Sequence, residues 1–332
     1  MKKFLVLISL IALMVACQTP QQRSLKKANT MLNMAEIFIN LNQLDRARTN
    51  TVEAMKIIDS YYRIPSLSNP ELEIAYAKAH LTLFEIKNYT VFQSAEYRNP
   101  SFTRLPYMNQ YIGYKGYVVK AKKTLLQTSK KSKTDLSNLQ NGTINHLLGN
   151  INSYDLETLS QAEESYSKAR SFYQKALSEN TDYNIQDQIK KDLSRILLAQ
   201  ARMNLLQEKW ATALNILESG DIGQNLDGFK AIFENLDNSK KKAPEKKYSS
   251  RQLFWGRWWK DREEKMKSTQ EDDFNLKLQK FMLREYQQNL SYRIVCYHNL
   301  HKYKHFYLAV KILDQAYPKI ADNMLDYFEN QI

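Results

Sequence analysis

Eight glycines and seven prolines in 332 residues leave little material for tight turns. Globular chains usually carry about 12% of the two together. Sandwiches and barrels need such breakers roughly every ten residues, and a dinucleotide-binding loop is built on glycine. Long helices joined by short connections need neither. Hydrophobic residues make up 43% of the chain and charged residues 25%, which excludes a mainly disordered chain and a polytopic membrane protein. No stretch alternates apolar and polar residues between hairpin turns. The sequence predicts an all-α fold of stacked antiparallel helix pairs.

Apolar residues recur at helical spacing along most of the chain. Met31, Met34, Ala35 and Phe38 make one stripe, Asn40-Leu41-Asn42-Gln43 reads as a turn, and Leu44, Ala47, Ala54 and Ile57 make a second stripe. Pro65 and Pro70 punctuate the next connection, ahead of a helix pair over 71–97. Residues 107–128 read as a helix and 130–143 as a polar loop. The segment 156–178 carries Ala162, Tyr166, Ala169, Tyr173 and Ala176 on one face. Residues 185–207 and 210–217 form a further pair. A Lys-rich linker over 238–250 is followed by an aromatic, basic stretch over 254–267. Helices are expected over 273–303 and 306–317, with an amphipathic one over 320–328.

Several of these pairs share a pattern. The first copy is Ala35-x2-Phe38-x5-Leu44-x2-Ala47, another is Ala201-x8-Trp210-x2-Ala213, and a third is Tyr297-x2-Leu300-x5-Phe306-x2-Ala309. A fourth, His80-x2-Leu83-x5-Tyr89-x2-Phe92, has Phe where a small residue is expected. Two antiparallel helices approach closely where one side chain is small and its bulky neighbour fills the notch. One pair cannot bury its apolar face alone, so several stack. Over about half its length the chain resembles the tetratricopeptide repeat (TPR) family. The copies depart from the family's 34-residue period, and a generic helical bundle is the alternative. The resemblance implies a TPR-like superhelix whose first helices line a groove for a peptide or protein segment. Carried over, the groove positions are Leu32, Glu36 and Ile39 in the first copy, Leu198, Arg202 and Leu205 in the Trp210 copy, and His298, His301 and Lys302 in the last.

The N-terminus suggests an address. Lys2 and Lys3 precede an apolar run over 4–16, too short to span a bilayer comfortably and the right length for a signal peptide. Its end, Leu13-Met14-Val15-Ala16-Cys17, resembles the bacterial lipobox. That implies a signal peptide over 1–16, lipid (palmitate among its acyl groups) on Cys17, and residues 17–24 as a short polar tether. Gln18, not Asp, implies routing to the outer membrane, facing the periplasm. An ordinary cleaved signal and a retained anchor are the alternatives. Cys296 then has no disulfide partner, and burial is expected of it.

Cleavage would remove Lys2 and Lys3 and take the formal charge from +13 to +11. Residues 107–133 hold seven Lys and no acid, and Lys240 to Lys267 holds eleven basic residues against four acids. Such stretches suit phospholipid head groups, cell-wall polymer or an acidic protein surface; solvated loops are the plainer reading. An exported address argues against nucleic acid. Trp255, Trp258 and Trp259 lie inside the second stretch with Phe254 and three basic residues. They suit a partner groove, a lipid interface or the protein's own core.

Chemistry has few candidates. There is no phosphate loop, no His-Glu-x2-His, no Cys-x2-Cys and no Gly-x-Ser-x-Gly. No enzyme, metal or cofactor is expected. His298, His301 and His305, at i, i+3 and i+7, would share a face if one helix ran through them, but no carboxylate there completes a metal site. The expected organisation is an N-terminal TPR-like region over 25–235, a basic linker and aromatic segment over 236–272, and C-terminal TPR-like helices over 273–332. The expected function is a lipid-anchored scaffold of the bacterial envelope that binds envelope proteins or exported segments and serves outer-membrane assembly. The alternatives are a ligand-binding accessory of a solute transporter and an activator of a cell-wall enzyme.

Overall fold

A computed structural model describes residues 19–64, 69–89, 115–131, 136–219, 226–231, 233 and 284–329. Every regular element among them is helical, as the scarcity of glycine and proline requires. The chain divides into two compact units, residues 1–89 with 111–151 and residues 90–110 with 152–332. This differs from the expected organisation. The helices over 156–218 belong with those after 284, because the helix at 284–299 packs on two of them.

The first unit holds α1 (Pro20–Asn40), α2 (Leu44–Tyr62), α3 (Pro70–Lys87) and α4 (Lys115–Lys131); α5 (Asn138–Asn152) ends at the division. Helix α1 begins inside the stretch expected to be a tether. The Thr19 hydroxyl accepts from the Gln22 amide, the Gln22 side chain accepts from the Thr19 amide, and Pro20 opens the first turn. Leu25 and Ala28 are already in the core. A second capping box, Ser137 with Gln140, starts α5 within the expected loop at 130–143. Helix α3 is opened by Asn69, which accepts from the Leu72 amide ahead of Pro70.

Helices α1, α2 and α3 pack mutually, and α4 packs on α3. Their core is Leu25, Ala28 and Leu32 of α1, Ala54 and Ile58 of α2, and Leu72, Ala75 and Ala79 of α3. Alanine on all three helices permits the close approach. Ile58, not the expected Ile57, is the fully buried residue of its turn. Between α3 and α4 the Thr128 hydroxyl donates to buried Glu73 at 2.6 Å.

The second unit holds α6 (Leu159–Glu179), α7 (Tyr183–Leu206), α8 (Trp210–Glu218), α9 (Arg284–Asn299), α10 (Tyr303–Ala316) and α11 (Pro318–Glu329). Each packs on the next, and α7 also packs on α9. The expected face of α6 is buried throughout, at Ala162, Tyr166, Ala169, Tyr173 and Ala176. Glu285 clasps α9 to α7, accepting from Ser194 and from Arg195, each at 3.0 Å.

Three junctions, α1–α2, α7–α8 and α9–α10, are closed by the same turn. Asn42, Glu208 and His301 take positive φ of 59, 57 and 56°. In each turn that residue's amide bonds a carbonyl three back, and the next amide bonds one five back, as Gln43 to Phe38, Lys209 to Asn204 and Lys302 to Tyr297. This is a Schellman closure. The left-handed conformation costs a non-glycine residue roughly 1 kcal/mol, so its recurrence at Glu208 and His301 marks helix pairs cut to one plan.

These turns correct the register of the last copy. The residues equivalent to Trp210 and Ala213 are Tyr303 and Phe306, three earlier than the sequence spacing put them. The positions matching Leu198, Arg202 and Leu205 become Ser291, Val295 and His298. Helix α9 also stops at Asn299, so no helix runs through His298, His301 and His305.

Candidate functional site

Of the residues expected at a site, Cys17, Trp255, Trp258 and Trp259 lie outside the described residues, as does the whole of 240–267. Leu198 and Leu205 are core residues of the second unit, 6% and 0% exposed, so they fill the helix interface instead of lining open surface. Leu32 is likewise fully buried, with Glu36 and Ile39 half-buried beside it. Arg202 is half-buried. Its Nε is shielded from water and meets no hydrogen-bond partner among the described residues.

His298 points into an aromatic enclosure. Its ring lies 4.3 Å from Phe328 of α11, 5.5 Å from Phe306 and 6.1 Å from Tyr303, both of α10. Both ring nitrogens are shielded and meet no partner among the described residues. Burial, and behind it the nearby His301, hold its pKa below the ordinary histidine value. His301 and Lys302 sit in the exposed turn; the imidazole of His301 lies 3.0 Å from the Tyr303 hydroxyl. His305, at the start of α10, faces Tyr297 with ring centroids 5.4 Å apart. His298 and His301 share Tyr303 as a neighbour and His305 faces Tyr297, and no group of three or more metal-ligating side chains occurs among the described residues.

Sequence reasoning missed two polar clusters. In the first unit Tyr62 and Tyr76 stack at 4.2 Å with planes 2° apart, His80 lies 4.2 Å from Tyr76, and Tyr117 stands 5.5 Å beyond. The row joins α2, α3 and α4. His80 is 1% exposed, and its Nδ1 lies 3.0 Å from the Tyr76 carbonyl. Burial first, then the charge of Lys120, keep its pKa low against that hydrogen bond. Its sequence neighbours Ala77, Ala79 and Leu81 signalled burial, but not the rings around it.

The other cluster surrounds Arg293, the largest fully buried side chain. Its Nε donates to Asn289 one turn back, and its Nη2 donates to the Leu217 carbonyl at the end of α8, each at 2.8 Å. The guanidinium also lies 5.1 Å from the Phe229 ring centroid. Glu218 supplies negative charge, and the Tyr297 hydroxyl donates to it at 3.4 Å. Leu290, Ile294 and Tyr297 around Arg293 placed it on an apolar face. Nearby, burial pushes the Cys296 thiol up to about 12, which leaves it unreactive at neutral pH.

Buried His80 and half-buried His298, whose pKa values both lie below the ordinary histidine value, set a pH dependence. Above roughly pH 6.5 both are neutral in the folded and the unfolded chain. As pH falls below that value the unfolded chain takes up protons first, so folding loses free energy until the lower folded pKa values are reached. Thermal midpoints will therefore fall from about pH 7.5 to about pH 5, above the main carboxylate range. His80→Phe will flatten that fall for the first unit, and unchanged pH dependence in this variant would remove His80 as its source.

Among the described residues, α4 carries an exposed face of unusual composition. Val118, Ala121, Thr124, Leu125 and Thr128 are buried, while Lys115, Val119, Lys120, Lys123, Leu126 and Lys130 are exposed. Val119 and Leu126 are 62% and 43% exposed. A shallow depression runs along this face from Val119 to Lys130. No described helix is long and apolar enough to cross a membrane. The arrangement offers surfaces for binding, and the described polar clusters are tied into helix packing. No protein-family model, curated protein or solved structure matches this chain.

Proposed function

We propose that this chain is a TPR-like lipoprotein scaffold of the bacterial cell envelope, held to the membrane by lipid on Cys17. It binds envelope proteins or exported polypeptide segments and assists outer-membrane assembly. The observation that carries the reading is the recurrence of one helix-turn-helix junction at α1–α2, α7–α8 and α9–α10. Stacked pairs of this kind present extended surfaces to other chains. A lipid tether raises the local concentration of whatever those surfaces bind. The lipobox-like Ala16-Cys17 supports the anchor, and with α1 starting only three residues later a lipid on Cys17 would hold the folded part close to the membrane.

Crosslinking in intact cells, detergent extraction and capture through a C-terminal tag test the reading. Recovery of β-barrel assembly proteins or other envelope subunits is expected. Recovery of a transporter or solute-binding protein would move the function to solute uptake, and recovery of no protein would remove the scaffold reading. Labelling with a palmitate analogue should mark the wild-type chain and not Cys17→Ser.

A further inference from the structure

We propose that the exposed face of α4 docks flat on an anionic phospholipid surface, a contact separate from any lipid at Cys17. Helix α4 holds six Lys and neither an acid nor an Arg. At about 100° per residue, Val119 and Leu126 stand in the middle of its outer stripe. Lys115 and Lys122 flank them on one side, and Lys123 and Lys130 on the other. The opposite face is buried, and α4 packs on α3. The outer stripe is therefore an apolar line about two turns long between two rows of ammonium groups.

That composition selects the partner. Protein-binding surfaces concentrate Arg and aromatic residues at their centre and are depleted in Lys. A bilayer interface takes Lys on flexible stems that reach the phosphates while small apolar side chains enter the boundary beneath. Lysine near an anionic leaflet gains from the surface potential within a screening length. The depression along this face is shallow and open, which suits a planar surface better than an inserted peptide.

The test uses residues 18–332, which keep every described helix and carry no lipid. Sedimentation is measured with vesicles of equal parts phosphatidylglycerol and phosphatidylcholine, and with phosphatidylcholine alone. Binding to the anionic vesicles only is expected, with loss in about 1 M salt, where the screening length falls to ~3 Å. Lys123→Gln with Lys130→Gln should weaken partitioning roughly 30-fold. Val119→Ser with Leu126→Ser should weaken it at every salt concentration at which the wild type binds. Both variants should keep the wild-type circular dichroism, since all four side chains are exposed. Neutralising Lys240, Lys241 and Lys242 instead should leave the α4 contribution in place.

Undiminished binding by the Lys123/Lys130 variant would overturn the proposal. So would equal binding to neutral vesicles, or loss of binding only on changing 240–242. If the wild type ignores vesicles while the same Lys variant loses proteins captured in cells, the stripe docks protein and the lipid assignment fails. The scaffold reading stands or falls on that capture, independently of the vesicle result.

Discussion

Replacing Arg293 by Met will destabilise the second unit by about 3 kcal/mol and lower its thermal midpoint by roughly 6–12 °C. The substitution roughly keeps the volume and removes the donors. Asn289 can turn to another partner, but the Leu217 carbonyl is fixed at the end of α8 and stays buried. An orphaned buried acceptor costs about 1–3 kcal/mol. Glu218 also loses the cation beside it, and the end of α8 loses a positive charge where the helix dipole favours one. Arg293→Lys keeps the charge but cannot serve two acceptors along a fixed planar fork, so it should recover less than half of the loss. Hydrogen exchange resolved to α8 and α9 separates this unit from the other. A midpoint within about 2 °C of wild type would mean that the desolvation of the guanidinium already cancels its hydrogen bonds.

Leu205→Ala is the second large effect, and it separates core from groove. Leu205 of α7 is fully buried in the core of the second unit, so truncation leaves a cavity and should cost about 3 kcal/mol. His301→Ala and Lys302→Ala lie in an exposed turn and should stay within about 0.5 kcal/mol of wild type. A residue lining an open groove would do the reverse: little change in stability, with loss of partner capture. Measuring the midpoint and the capture together on these three variants assigns each position. Stability unchanged in Leu205→Ala would put that side chain back in a groove.

Some sites were legible from pattern alone. The five residues Ala162, Tyr166, Ala169, Tyr173 and Ala176 repeat at helical spacing, and all five are buried. The turn at Asn40-Leu41-Asn42-Gln43 showed itself as a polar break between two apolar stripes, and Asn42 there takes the positive φ that asparagine tolerates. The caps at Thr19 and Ser137 were present in sequence as Thr-x2-Gln and Ser-x2-Gln, yet polar composition hid them and both stretches read as loops. The register of the last copy failed for a related reason. Bulky and small residues recur often at helical spacing, whereas the positive φ that marks the turn falls on His301, a residue type that does not announce it.

By itself the sequence determined that this chain is helical, where most helices lie and which faces are apolar, because a 3.6-residue period and the lack of breakers are local properties. The tertiary structure decided what those faces meet. Arg293 is held by a carbonyl 76 residues away, His80 lies against a ring of its own helix and one of α4, and Glu285 is held by α7 across a 90-residue separation. Nothing in the spacing of neighbours encodes such pairings. The tertiary structure also sorted the lysines of α4, since only packing on α3 reveals which side of that helix is left to solvent.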